Sequence, residues 1–117
     1  MGGVIQSTEL RAEIERLRGE KAWESGRNSK TLAKHPDFSV VLIVLKSGAR
    51  LHEHKTAGSI SVQTIAGHIR MHAQGKTLDL PVGHLLTLEG EVLHDVESLD
   101  DSAFLLTIAC HGDPKKF

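Results

Sequence analysis

The sequence predicts an all-β domain of antiparallel strands, a sandwich or barrel, behind one short N-terminal helix. Three observations carry this. From about residue 38 onward the chain is a succession of short Val-, Ile-, Leu- and Thr-containing runs, cut at fairly even intervals by glycines. At Gln74-Gly75-Lys76 a glycine free to take positive φ stands between two alternating runs, the composition of a hairpin turn. Only one stretch, near the N-terminus, spaces its apolar residues as a helix does.

The helix is expected over residues 7–18. Ser7 or Thr8 can cap it, Glu9 suits the first turn, and Leu10, Ile14 and Leu17 fall on one face. The remainder is mostly Arg and Glu, so a thin stripe docks and the other faces meet water; Gly19 ends it. Residues 23–28, with Ser25-Gly26, read as a loop or edge segment, and Lys30-Thr31-Leu32 is strand-like with little apolar weight. His35-Pro36-Asp37 is a turn. Strands are then expected near 38–46, 50–56, 59–66, 68–74, 76–80, 84–88, 92–98 and 102–110, with further turns at Pro81-Val82-Gly83 and Glu89-Gly90-Glu91. Residues 1–37 form an arm and edge segment and 38–117 the β domain, one domain overall, as 117 residues is near the commonest domain length.

Composition excludes several function classes. Hydrophobic residues make up 39% and charged residues 25%, as in ordinary globular domains. Fourteen basic residues against fifteen acidic ones, with no long run of either sign, leave no electrostatic footprint for nucleic acid or an anionic membrane. The longest apolar run, from Val40 to Leu45, is far too short to span a bilayer, and the first residues lack the regions of a signal peptide. Cys110 is the only cysteine, so no intrachain disulfide is possible and the expected location is the cytoplasm. Aromatic residues are scarce: Trp23, Phe38, Phe104 and Phe117, with no tyrosine. The outlier is histidine, with eight, which raises a question of metal binding or proton transfer.

Two sets of spacings organise the β region. Gly48 is followed after five residues by His54, then by Thr56, Ile60 and, six residues further, Gly67. Gly83 opens a second series with Glu89, Glu91, His94 and Ser98. In these spacings the sequence resembles the cupins. Their first motif is glycine, five residues, His-x-His, three or four residues, Glu, six residues and glycine. Their second is glycine, five residues, Pro-x-Gly, two residues, His, three residues and Asn. The resemblance covers roughly residues 38–108 and implies a small RmlC-like cupin, an antiparallel jelly-roll barrel. In metal-binding cupins the two histidines and the glutamate of the first motif converge with the histidine of the second on iron, manganese, nickel, zinc or copper. Here those places hold His54, Thr56, Ile60 and His94. Isoleucine has no lone pair to give, so the four-ligand site is broken.

The favoured reading is a metal-free module that binds a small molecule. His54, His94, Thr56 and Ile60, with Val62, Leu86 and Leu88, would line an apolar pocket with two polar contacts. The alternative is a metal-dependent enzyme, dioxygenase- or isomerase-like. If the strand alternates regularly, residues 52, 54 and 56 share a face, and His52 joins His54 and His94 as three imidazoles for a divalent transition metal such as Fe, Ni, Zn or Mn. Gln63 faces outward if Ile60, Val62 and Thr64 face inward. A third reading makes His54 or His94 a general base without metal, though no basic or tyrosine constellation accompanies them. The sequence leaves open whether the protein is an enzyme at all.

The other histidines have plainer explanations. His68 and His72 share a strand face with Arg70, opposite Ile69 and Met71, and read as solvated or dimer-facing. His84 caps a turn, and His35 and His111 are solvated. Asp95, Glu97, Asp100 and Asp101 read as a solvated acidic face, and Cys110 as a small packing residue. Open strand edges, and the resemblance, lead to the expectation of a symmetric homodimer with Trp23 near its interface.

Overall fold

The computed structural model describes residues 3–110. Among these described residues nine strands form two antiparallel sheets, with a single α-helix on the outside. The elements are α1 (Leu10–Arg18), a 3-10 turn (Lys21–Ser25), β1 (Arg27–Lys34), β2 (Phe38–Leu45), β3 (Arg50–His54), β4 (Ile60–Ala66), β5 (His68–Ala73), β6 (Lys76–Pro81), β7 (Leu85–Leu88), β8 (His94–Ser98) and β9 (Ser102–Ala109). One sheet runs β1-β2-β9-β4-β7 and the other β3-β8-β5-β6.

Alternation on each strand explains why the sheets close on each other. Ile60, Val62 and Thr64 of β4, Ile69 and Met71 of β5, and His94, Val96 and Ser98 of β8 are buried, while their neighbours turn outward. Inward residues of both sheets, with Leu45, Leu80 and Phe104, form one continuous core that fills the space between them. Strand β2 is apolar without alternation because both of its faces are covered. Ile43 and Leu45 point into this core, while Leu42 and Val44 lie in a second cluster under Ile14 and Leu17 of α1.

Helix α1 starts three residues later than expected. Ser7 and Thr8 precede it, and the carboxylate of Glu9 accepts the Arg11 N–H at 2.8 Å, so the cap is acidic instead of a hydroxyl. Gly19 closes it as predicted. Strand β1 is the larger difference. The segment read as a loop with a strand-like centre is a strand of 8 residues, hydrogen-bonded to β2 and kinked by a register shift between Thr31 and Ala33. Its sequence lacks alternation because, at the sheet edge, the pairing depends on backbone groups and only a few side chains, Leu32 among them, reach the second cluster. Trp23 is half-buried against that cluster, with the Arg18 guanidinium and the Lys46 ammonium over its ring at 5.4 and 5.6 Å.

The Gln74-Gly75 hairpin has positive φ at both central residues, 52° and 72°, which fits the right-handed twist of β5 and β6. Among the described residues no helix is long and apolar enough to cross a membrane.

Candidate functional site

Strands β3 and β8 bring His54 and His94 together. Val96 lies opposite Leu51, and His94 lies opposite His54. Two steps along β8 therefore match three along β3, and the extra residue is a bulge. The bulge returns His54 to the inner face beside Leu51 and leaves His52 exposed. Regular alternation would have put residues 52 and 54 on the same side, so the three-imidazole set is not assembled. Thr56 also stays outside the cavity lining: its hydroxyl donates to the Gly58 carbonyl at 2.8 Å, and its own carbonyl accepts the Glu91 N–H at 2.8 Å. Ile60 is buried and does line the cavity. Gln63 points outward, as alternation along β4 requires.

The two imidazoles are tilted by 57° with centroids 4.4 Å apart. His94 is only 3% exposed, whereas His54 sits at the rim, open to solvent. The Nδ1 of His54 is 3.0 Å from the His52 carbonyl, and the Nδ1 of His94 is 2.9 Å from the Val92 carbonyl. A carbonyl oxygen only accepts, so each Nδ1 is the donor, and in the neutral form of either ring the proton is on Nδ1 and Nε2 is the acceptor. Together they face a cavity of about 30 Å³, otherwise walled by apolar side chains including Leu51, Ile60, Val62, Met71 and Phe104. That is room for about one water, so the barrel interior is filled by its own side chains.

The outer face of the same sheet is ionic. Arg50 donates to Asp95 at 3.0 Å, and Arg70 donates to Asp79 at 2.8 Å. His72 lies between Thr77 Oγ1, 3.1 Å from Nδ1, and Glu97 Oε1, 2.8 Å from Nε2. His68, Arg70 and His72 share this face as predicted, and the acidic residues Glu97 and Asp95 of β8 are the cross-strand partners of Arg70 and His72. The Arg70 hydrogen bond is the main cause holding the Asp79 carboxyl below its ordinary value, and the hydrogen bond to Asp95 likewise raises the Arg50 guanidinium. His35 is exposed with its ring 4.9 Å from that of Phe38, His84 is exposed in the turn before β7, and Cys110 is a half-buried free thiol. His111 lies outside the described residues.

No protein-family model matches the sequence, and no curated protein matches it. Solved structures do match. A cupin superfamily protein from Desulfitobacterium hafniense DCB-2 superposes with a TM-score of 0.70 at 15% identity, covering 73% of this chain and 78% of that one. A cupin-2 domain-containing protein from Shewanella frigidimarina NCIMB 400 gives 0.71 at 10% identity, covering 87% and 93%. The fold is that of the cupins. A variant of salicylate 1,2-dioxygenase from Pseudoaminobacter salicylatoxidans carries the same fold, with a TM-score of 0.77 at 13% identity over 86% of this chain and 34% of that one. At such identities the likeness extends to the fold of the barrel and no further, because one barrel serves many chemistries.

Within this cupin barrel the residues present do not fit a resident metal. Two imidazoles stand at the motif positions, an isoleucine and a threonine at the others, and no group of three or more His, Cys, Asp or Glu among the described residues is placed to hold an ion.

Proposed function

We propose that the protein is a metal-free cupin that binds a small molecule at the mouth of its barrel, through His54 and His94. The observation that supports this is the pairing of the two rings at the cavity: with each Nδ1 turned to a carbonyl, Nε2 of each ring is left as the group that can meet a ligand. The cavity takes a group about the size of a water, such as a ligand hydroxyl or N–H, and the body of the ligand rests outside over exposed His54. The test combines elemental analysis of untagged protein with a thermal-shift screen of small hydroxylated compounds. Stabilising compounds that lose their effect in His54→Ala, in a protein free of metal, are the expected result. Near-stoichiometric metal that disappears in His54→Ala overturns the reading in favour of an enzyme, and so does a screen in which the variant responds like the native protein.

The same proposal includes a symmetric homodimer. Val4 and Ile5, 91% and 94% exposed, leave apolar surface along the N-terminal arm, and Phe38 lies in the same groove as Val4. A monomeric mass by light scattering at working concentration overturns that part.

A further inference from the structure

Two loops meet beside the histidine pair. One leaves His54 directly and joins β3 to β4; the other joins β7 to β8 and ends at His94. Each imidazole therefore stands where a strand passes into one of these loops. His54 and His94 are also the last pair of the β3–β8 ladder, so contacts between the loops hold the strand ends beyond them.

Glu91 is at the centre of those contacts. Its N–H donates to the Thr56 carbonyl at 2.8 Å, two residues after His54, and its carboxylate lies 3.3 Å from Lys55 Nζ. Gly90 approaches the same segment so closely that a Cβ there would lie 2.1 Å from the Ala57 carbonyl oxygen. The φ of Glu91 is 69°, a left-handed conformation that a residue other than glycine keeps only where its surroundings impose it. The next residue is Val92, whose carbonyl accepts the His94 Nδ1–H at 2.9 Å. One turn is thus bonded on one side to the segment leaving His54 and on the other to the ring of His94.

Magnitudes separate main chain from side chain. The Lys55 and Glu91 side chains are 55% and 62% exposed, and an ion pair that open to water contributes little. The backbone bond and the shape of the turn are what remain to hold the loops.

We infer that Glu91 is a positioning residue for the histidine pair, acting through its main chain: its left-handed turn aims the Val92 carbonyl at His94 Nδ1 and ties the segment after His54 to the same place. His54 draws its own carbonyl partner from His52, so for that ring the turn sets position and not tautomer. The use of this positioning rests on the barrel-mouth reading: a ligand that donates to Nε2 of His94 needs the ring proton on Nδ1, and the partner of Nδ1 decides where that proton sits.

The experiment is a long-range ¹H–¹⁵N correlation of the imidazole rings in the full chain without ligand, at a pH where the ring resonances no longer titrate. Glu91→Gln removes the charge and keeps the turn, Glu91→Gly adopts the turn without strain, and Glu91→Val resists it. Glu91→Gln and Glu91→Gly are expected to keep the proton on Nδ1 of His94. Glu91→Val is expected to move both His94 nitrogens toward exchange-averaged positions, with His54 retaining its tautomer, and to speed solvent exchange of the amide at position 91 by about tenfold. Gly90→Ala, which drives the loops apart from the neighbouring residue, is expected to speed that exchange as well and serves if Glu91→Val does not fold. A His94 tautomer unchanged in Glu91→Val, or an exchange rate unchanged in Gly90→Ala, overturns the inference. A tautomer lost in Glu91→Gln overturns it too, because the hold then lies in the side chain, and so does a Glu91→Gly spectrum as disturbed as that of Glu91→Val. No ligand is present in these measurements, so their outcome and the fate of the barrel-mouth reading are independent.

Discussion

His94 and His54 lie side by side, one buried and one at the rim, and differ in what their loss exposes. Removing the His94 ring leaves a void in a filled core and deprives the Val92 carbonyl of its donor. His94→Ala is therefore expected to cost about 1–3 kcal/mol in urea unfolding at unchanged m-value. His54→Ala changes an exposed side chain and is expected to stay within about 0.5 kcal/mol. Gly67 is a second residue on which the fold depends. Its φ is 75°, and a Cβ there would meet the Asp101 carbonyl at 2.4 Å, so Gly67→Ala should lose more than about 1 kcal/mol by the same measurement. The spacing between Gly48 and Gly67 identified His54 and Gly67 as positions that matter. It could not reveal the bulge, because an extra residue in Leu51-His52-Glu53-His54 leaves no mark in composition, and both histidines look equivalent until the partner strand is known.

At the scale of elements, legibility followed burial pattern. Strands with one wet face alternate and were read nearly end to end; β1 contributes few apolar side chains and was seen only in part. The hairpins were legible because their turn chemistry is local. The attachment of α1 was legible only as a stripe. In the structure Leu17 is 3% exposed between α1 and β2, so Leu17→Ala should destabilise by about 2–5 kcal/mol and change the fluorescence of Trp23, which packs on the same cluster. Polar contacts add a dependence on pH. Glu13 accepts a hydrogen bond from Lys30 of β1 at 3.0 Å, and this bond, with Arg16 assisting, lowers its pKa from 4.5. A lowered carboxylate pKa stabilises fully above the ordinary value, and the contribution fades as pH falls through the lowered one. Acidification should therefore loosen α1 from β1, detected through Trp23, and Lys30→Met should remove that acid-dependent step.

At the scale of the whole molecule, the jelly roll was predictable because its cause is distributed: many short strands, regular turns and motif spacing all agree. The content of the barrel was not, since it depends on how side chains from six strands meet. They meet closely enough to leave about 30 Å³. Substituting a core side chain that borders the cavity should therefore change the volume available to a guest. Met71→Ala is expected to destabilise by about 2–5 kcal/mol and to let xenon or a small apolar molecule enter. An unchanged xenon response in ring and methyl resonances of the variant would show that the barrel collapses around the deletion instead.

The bulge in β3 sets His54 on the inner side of the sheet and Glu53 on the outer, and regular alternation in β8 sets His94 and Asp95 on the same two sides. The inner cavity and the ionic outer face are separated by the thickness of one polypeptide layer. A ligand bound on one side changes the affinity of the other side only through this layer, and any such coupling is reciprocal: the factor by which one tightens the other is the factor returned.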